Sequence, residues 1–213
     1  MFSALAARMP NCGAGDAYHA GAPMMSVDEI AEFRSEKEWE EWLALNHFKS
    51  KGIWVRLFRK GTHVASVKSS EALDVALCYG WITGQSRPYD EMSWLGRFVP
   101  RRPKSIWSKI NVGRAERLIK EGRMKAAGLK QIDEAKRDGR WGRAYSPPST
   151  AKVPEDFTKE LSKNKKALEF FLTLNRANVY AVVFRLENSK GEEARKTKIR
   201  QMVRMFERGE KFH

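Results

Sequence analysis

Apolar positions along the chain recur first with a helical period and then with the alternation of strands. Over residues 28–46, Trp39, Trp42 and Leu43 repeat at three- and four-residue spacing, and Glu36, Glu38, Glu40 and Glu41 fill the other side. This predicts an amphipathic helix. Residues 52–59 are bounded by Gly52 and by Lys60-Gly61 and are rich in β-branched and aromatic side chains, as in a strand. Ile53, Val55 and Leu57 then face one way, and Trp54, Arg56 and Phe58 the other. Ser69-Ser70 caps a mostly apolar helix over 71–79, which Gly80 stops. Residues 81–83 and 93–99 read as two further strands, joined by a turn-rich connection over 84–91.

After Pro103 the period becomes helical throughout. Helices are predicted from Ile106, with Ser105 as cap, and over 128–139. Ser146-Pro-Pro-Ser-Thr150 is a linker. Helices then follow from Pro154 and over 167–174, 177–188 and 192–208. The expected fold class is α+β and helix-rich: a small, mostly antiparallel sheet in the N-terminal half, covered by the first two helices, then a helical C-terminal half.

Composition supports a packed interior, with 42% hydrophobic and 11% aromatic residues among 213. Charge is the departure, at a net +14. Residues 97–143 carry 15 basic and 5 acidic side chains, whereas residues 1–96 carry 10 and 12. Such a block suits an anionic small molecule, a phosphate group or nucleic acid held non-specifically. It equally suits a solvated helical face. Cys12 and Cys78 are read as free thiols in a reducing, cytoplasmic compartment. No apolar run reaches the ~18 residues of a membrane span. Residues 1–27 read as a weakly ordered extension, with only Arg8 to suggest an organelle presequence.

The candidate site is the junction where strands give way to helices. Arg97, Arg101 and Arg102 offer planar forks for phosphate or carboxylate, with Lys104 and Lys109 beside them. The first helical amides after Ser105 would add donors, Trp107 a stacking face and Asn111 a further polar group. Trp81, Gln85, Tyr89 and Trp94 could line an adjoining pocket, although large aromatics more often serve packing. His19, His47, His63 and His213 stand apart with no metal-ligand spacing, so no metal and no cofactor is expected. No phosphate loop, dinucleotide glycine pattern or serine elbow is present, and no catalytic residue is assigned. The reading is of a binding protein. Two alternatives stay open: electrostatic nucleic-acid binding, and an enzyme with dispersed residues acting on a small phosphorylated or carboxylated substrate. The oligomeric state is not fixed.

Several runs carry a resemblance: Glu71-Ala-Leu-Asp-Val-Ala-Leu-Cys-Tyr-Gly-Trp-Ile82, Arg97-Phe-Val-Pro-Arg-Arg-Pro-Lys-Ser-Ile-Trp-Ser-Lys-Ile-Asn111, Arg117-Leu-Ile-Lys-Glu-Gly-Arg-Met124, Asp138-Gly-Arg-Trp141, Ala144-Tyr145 and Val153-Pro-Glu155. With these the chain, over about residues 33–208, resembles the bacteriocin-protection, YdeI/OmpD-associated family. The resemblance implies a link to tolerance of bacteriocins or cationic antimicrobial peptides, to stress tolerance and to an outer-membrane porin, and no general reaction. It divides the chain into residues 1–27, an α+β region over 28–143 and a helical family domain over 144–213. Thr83 stands where members usually carry an aspartate, and the family's basic pattern in the last helix is only loosely matched by Arg195, Lys198 and Arg200. A net +14 repels cationic peptides, so any tolerance effect is expected to be indirect.

Overall fold

The computed structural model describes residues 29–212. The expected extension over residues 1–27, with Cys12 and His19, lies outside them, as does His213. The elements in chain order are β1 (Ile30–Ala31), α1 (Glu36–Asn46), β2 (Ile53–Phe58), α2 (Ser69–Cys78), β3 (Trp81–Pro88), β4 (Ser93–Pro100), α3 (Lys109–Lys120), α4 (Ala126–Arg137), α5 (Glu155–Leu161), α6 (Lys165–Leu172), α7 (Arg176–Glu187) and α8 (Glu192–Glu207). The α+β, helix-rich class is as expected.

The sheet runs β1-β2-β4-β3, with β1 parallel to β2 and the other pairs antiparallel. Its inner face carries Ile53, Val55, Leu57 and Phe98, packed under Trp39 and Leu43 of α1 and Ala72, Val75 and Ala76 of α2. Trp39 stacks on Trp42 at 5.4 Å and donates Nε1–H to the Ala72 carbonyl, which joins the two helices over the sheet. Trp54 and Arg97 are paired across β2 and β4 on the opposite face.

Three boundaries differ from the sequence reading. The first helix starts at Glu36, because the Ser35 side chain accepts from the Glu38 N–H while the Glu38 carboxylate accepts from the Arg34 N–H. Strand β3 continues through the stretch expected to be loop. Its exposed polar residues are tolerated because only one of its edges is paired, and its register shifts between Thr83 and Ser86. Helix α3 starts at Lys109: Ser108, not Ser105, supplies the capping oxygen, to the Asn111 N–H at 3.2 Å.

Helices α5, α6, α7 and α8 enclose a second core around Phe157, Leu161, Val182, Leu186, Met202 and Phe206. Arg195 of α8 links three of them. Its Nε and one terminal nitrogen donate to Asp156 of α5, and the other donates to the Leu186 carbonyl of α7. Lys198 donates to the Arg185 carbonyl. Both residues thus hold helices together. The halves meet where Lys109 and the Ser146 N–H and hydroxyl engage Glu187, with Tyr145 edge-on to Phe184 at 5.0 Å.

Candidate functional site

The three arginines expected to converge do not. Strand β4 sends alternate side chains to opposite faces. Arg97 therefore leaves on the outer face, its guanidinium 5.6 Å from the Trp54 ring centroid, where Arg87 approaches the same ring at 4.5 Å. Arg101 turns inward and is 6% exposed. Its guanidinium lies 3.8 Å from the Trp107 ring centroid, and one terminal nitrogen donates to the Ile106 carbonyl at 2.8 Å. Its Nε has no partner. Burial, reinforced by the nearby Arg140 charge, holds the Arg101 guanidinium down to about 10. Arg102 is exposed, and Arg97 is half-buried.

Arg102-Pro103-Lys104-Ser105 is a tight turn closed by the Ser105 N–H on the Arg102 carbonyl at 3.0 Å. Proline at its second position and a φ of +66° at Lys104 give a type II turn with lysine where glycine is usual. The chain then runs extended. Ser108 bridges in parallel to Tyr145, the Tyr145 N–H donates to the Trp107 carbonyl, and the Lys109 N–H donates to the Tyr145 carbonyl. Trp107 is 2% exposed, stands edge-on to Trp141 at 4.9 Å, and leaves its indole N–H unpaired. The first-turn amides expected after Ser105 are not helical. The Ser105 carbonyl instead accepts from Arg140 at 2.7 Å. Lys109 is taken up by Ser146 and Glu187, and the Asn111 N–H by the Ser108 cap. The junction is therefore a clamp, in which residues 101–108 are held by residues 138–145.

What opens beside the clamp is a cleft of about 340 Å³, lined by Lys104, Ile106, Asp138, Arg140, Arg143, Asn188 and Lys190. Its one carboxylate, Asp138, is engaged through both oxygens by Arg140 Nε and has its pKa lowered by that bond. Arg143 donates to the neutral Asp138 carbonyl at 3.1 Å. Lys104, Arg143 and Lys190 form no ion pair among the described residues. Of the residues expected at the junction, Lys104 alone lines this cleft. Arg140 lies within the Asp138-Gly-Arg-Trp141 run and Arg143 just after it, a run that was legible as a motif but not as part of a site. Lys190 comes from the other half of the chain, and no local signal marks it.

The aromatic pocket is not assembled either. Trp81 is buried with its indole N–H on the His47 carbonyl, Gln85 is exposed on β3, and Tyr89 faces Arg56 at 4.9 Å. Trp81 and Trp94 lie at opposite ends of the β3–β4 ladder, as their pairings with Pro100 and Pro88 show.

Cys78 is buried on α2, and desolvation raises its thiol to about 11. Alkylation of the native protein followed by peptide mapping should leave Cys78 unmodified, with full labelling only in denaturant. No group of three His, Cys, Asp or Glu side chains among the described residues could hold a metal ion. No described helix is long and apolar enough to cross a membrane.

Two family models match the chain. Residues 31–131 match a domain of unknown function (DUF8412). That span contains the runs over 71–82 and 97–111, so these belong to a separate domain model and not to the YdeI/OmpD-associated one. No curated protein and no solved structure matches. Residues 150–209, the helices α5 to α8, match the model described as Bacteriocin-protection, YdeI or OmpD-Associated, so the C-terminal region of the chain is similar to that family.

Proposed function

We propose that the protein is a non-enzymatic binding factor in bacteriocin or stress tolerance that holds an anionic group in the cleft beside the 101–108 clamp. One observation carries this reading. Lys104, Arg143 and Lys190 converge on a single cleft without a close ion pair among the described residues, and the carboxylate there, Asp138, is engaged through both oxygens by Arg140. Lysines and an arginine gathered without counter-charge repel one another, and a bound anion relieves that repulsion. The cleft is built from both halves of the chain, so an anion there would also tie them together.

Inorganic pyrophosphate, added at fixed ionic strength, should raise the Tm of the full chain and titrate to saturation. Lys104→Gly should weaken that binding about threefold to tenfold, as expected for one exposed charge-assisted contact. It should not lower the Tm in the absence of pyrophosphate, because glycine takes the φ of +66° without strain. Two results would refute the reading: no response to pyrophosphate, or full affinity in Lys104→Gly. The tolerance effect is indirect, so a cationic peptide should show no micromolar association in a parallel titration.

A further inference from the structure

A second groove lies at the other end of the sheet, apart from the cleft at Lys104. Between β2 and α2 the chain crosses residues 59–68 without regular structure, mostly exposed until Val67 returns to the core. This loop encloses about 810 Å³ together with the start of α2 and the start of β4. Helices α1 and α2 cover the sheet only in part. Beyond them the inner-face ring of Trp94 stays half-exposed, and with Leu73 it forms an apolar floor.

The rim is cationic. Arg59, Lys60, His63, Lys68 and Arg114 line the groove, and no carboxylate does. Lys68 and Arg114 are paired to Glu71 and Asp74. Arg59 and Lys60 make no side-chain ion pair or hydrogen bond among the described residues. His63 is held at a φ of +55°, which for a non-glycine residue is an uncommon backbone state. The volume is in the range of small-molecule sites, which combine apolar walls with a few placed polar groups.

We infer that this groove binds a small aromatic phosphate monoester. The flat ring system would lie against Trp94 and Leu73, and the phosphate dianion would meet Arg59 and Lys60. An aromatic floor contributes by stacking and area burial, and the free cations by charge-assisted hydrogen bonds. Neither a bare inorganic anion nor a neutral ring would satisfy both. The groove is separate from the cleft at Lys104, so this inference does not depend on the function proposed for that cleft.

The test compares adenosine monophosphate, adenosine and inorganic phosphate by calorimetric titration of the full chain at fixed ionic strength. Adenosine monophosphate should bind at least about tenfold more tightly than either fragment, since each fragment forfeits one set of contacts worth at least about 1.4 kcal/mol. The double substitution Arg59→Ser and Lys60→Ser is at exposed positions and should leave the Tm unchanged. It should weaken adenosine monophosphate about tenfold while leaving the pyrophosphate response at the other cleft intact. Trp94→Leu keeps an apolar floor and should lose affinity for the ring without creating preference for phosphate. Equal binding of phosphate and adenosine monophosphate would overturn the inference. So would full affinity in the double variant. Tighter binding of a single-stranded oligonucleotide, with affinity falling steeply as salt rises, would also overturn it in favour of a nucleic-acid track.

Discussion

Gly128→Ala is expected to destabilise the protein by about 3 kcal/mol, at the upper end of the usual overpacking cost. Gly128 lies in the first turn of α4, where alanine normally gains about 1 kcal/mol over glycine through helix propensity. Here the sign reverses. A Cβ at this position would sit 2.4 Å from the Cys78 carbonyl oxygen and 2.7 Å from that of Leu77, both backbone atoms at the end of α2. Backbone cannot swing aside as a long side chain can, so α4 must move away from α2. That movement would stretch the bond from the Lys125 N–H to the Cys78 carbonyl and disturb Ile132 and Ala135 in the core. Gly80 belongs to the same seam, with a φ of +73° and the Ala127 carbonyl 2.9 Å from its ideal Cβ position. Gly113→Ala in α3 is the matched control, because nothing lies within 4 Å of its Cβ position. It should stabilise by about 0.5–1 kcal/mol. Urea denaturation of the two variants beside the parent measures both. A Gly128→Ala protein as stable as the parent would show that the helices do not approach this closely.

Arg101→Ala should cost about 2–3 kcal/mol, whereas Arg102→Ala should stay within about 0.5 kcal/mol of the parent. The adjacent arginines differ only in direction. Arg101 gives a desolvated guanidinium to the Trp107 ring and a donor to the Ile106 carbonyl. Truncation leaves a cavity against a large ring and an acceptor without its donor, and both effects destabilise. Part of this cost is offset, because the guanidinium is penalised by its burial and leaves its Nε unpaired. Arg102 is exposed and makes no ion pair among the described residues, so its removal touches nothing that holds the fold. Neither substitution should abolish pyrophosphate binding at the Lys104 cleft once the protein is folded. A loss of binding in Arg102→Ala at unchanged Tm would return the anion site to the surface of the junction.

The difference between these neighbours shows how far the sequence could be read. Periodicity placed the helices and most strands, because an amphipathic stripe must repeat at 3.6 residues and a half-buried strand at two. The basic block was visible for the same reason, since charge is a property of residue type. Convergence is not. Arg97, Arg101 and Arg102 looked like one cluster, yet strand alternation and the turn at Pro103 send them to three different places. Ser105 and Ser108 are equally good caps in isolation. The bridge from Ser108 to Tyr145 keeps residues 106–108 extended and so selects the second.

The sequence by itself determined the α+β class, the order of the elements from α1 onward, the concentration of positive charge after residue 96 and the family resemblance of the C-terminal helices. All of these depend on residue type and local spacing. Only the tertiary structure decided which cations are free. It buried Arg101 on Trp107, committed Lys109 to Glu187, and brought Lys190 from beyond α7 to Lys104 and Arg143. The physical reason is that a charge becomes available to a ligand only when packing leaves it unpaired beside an open space, and both conditions are set by residues distant in sequence.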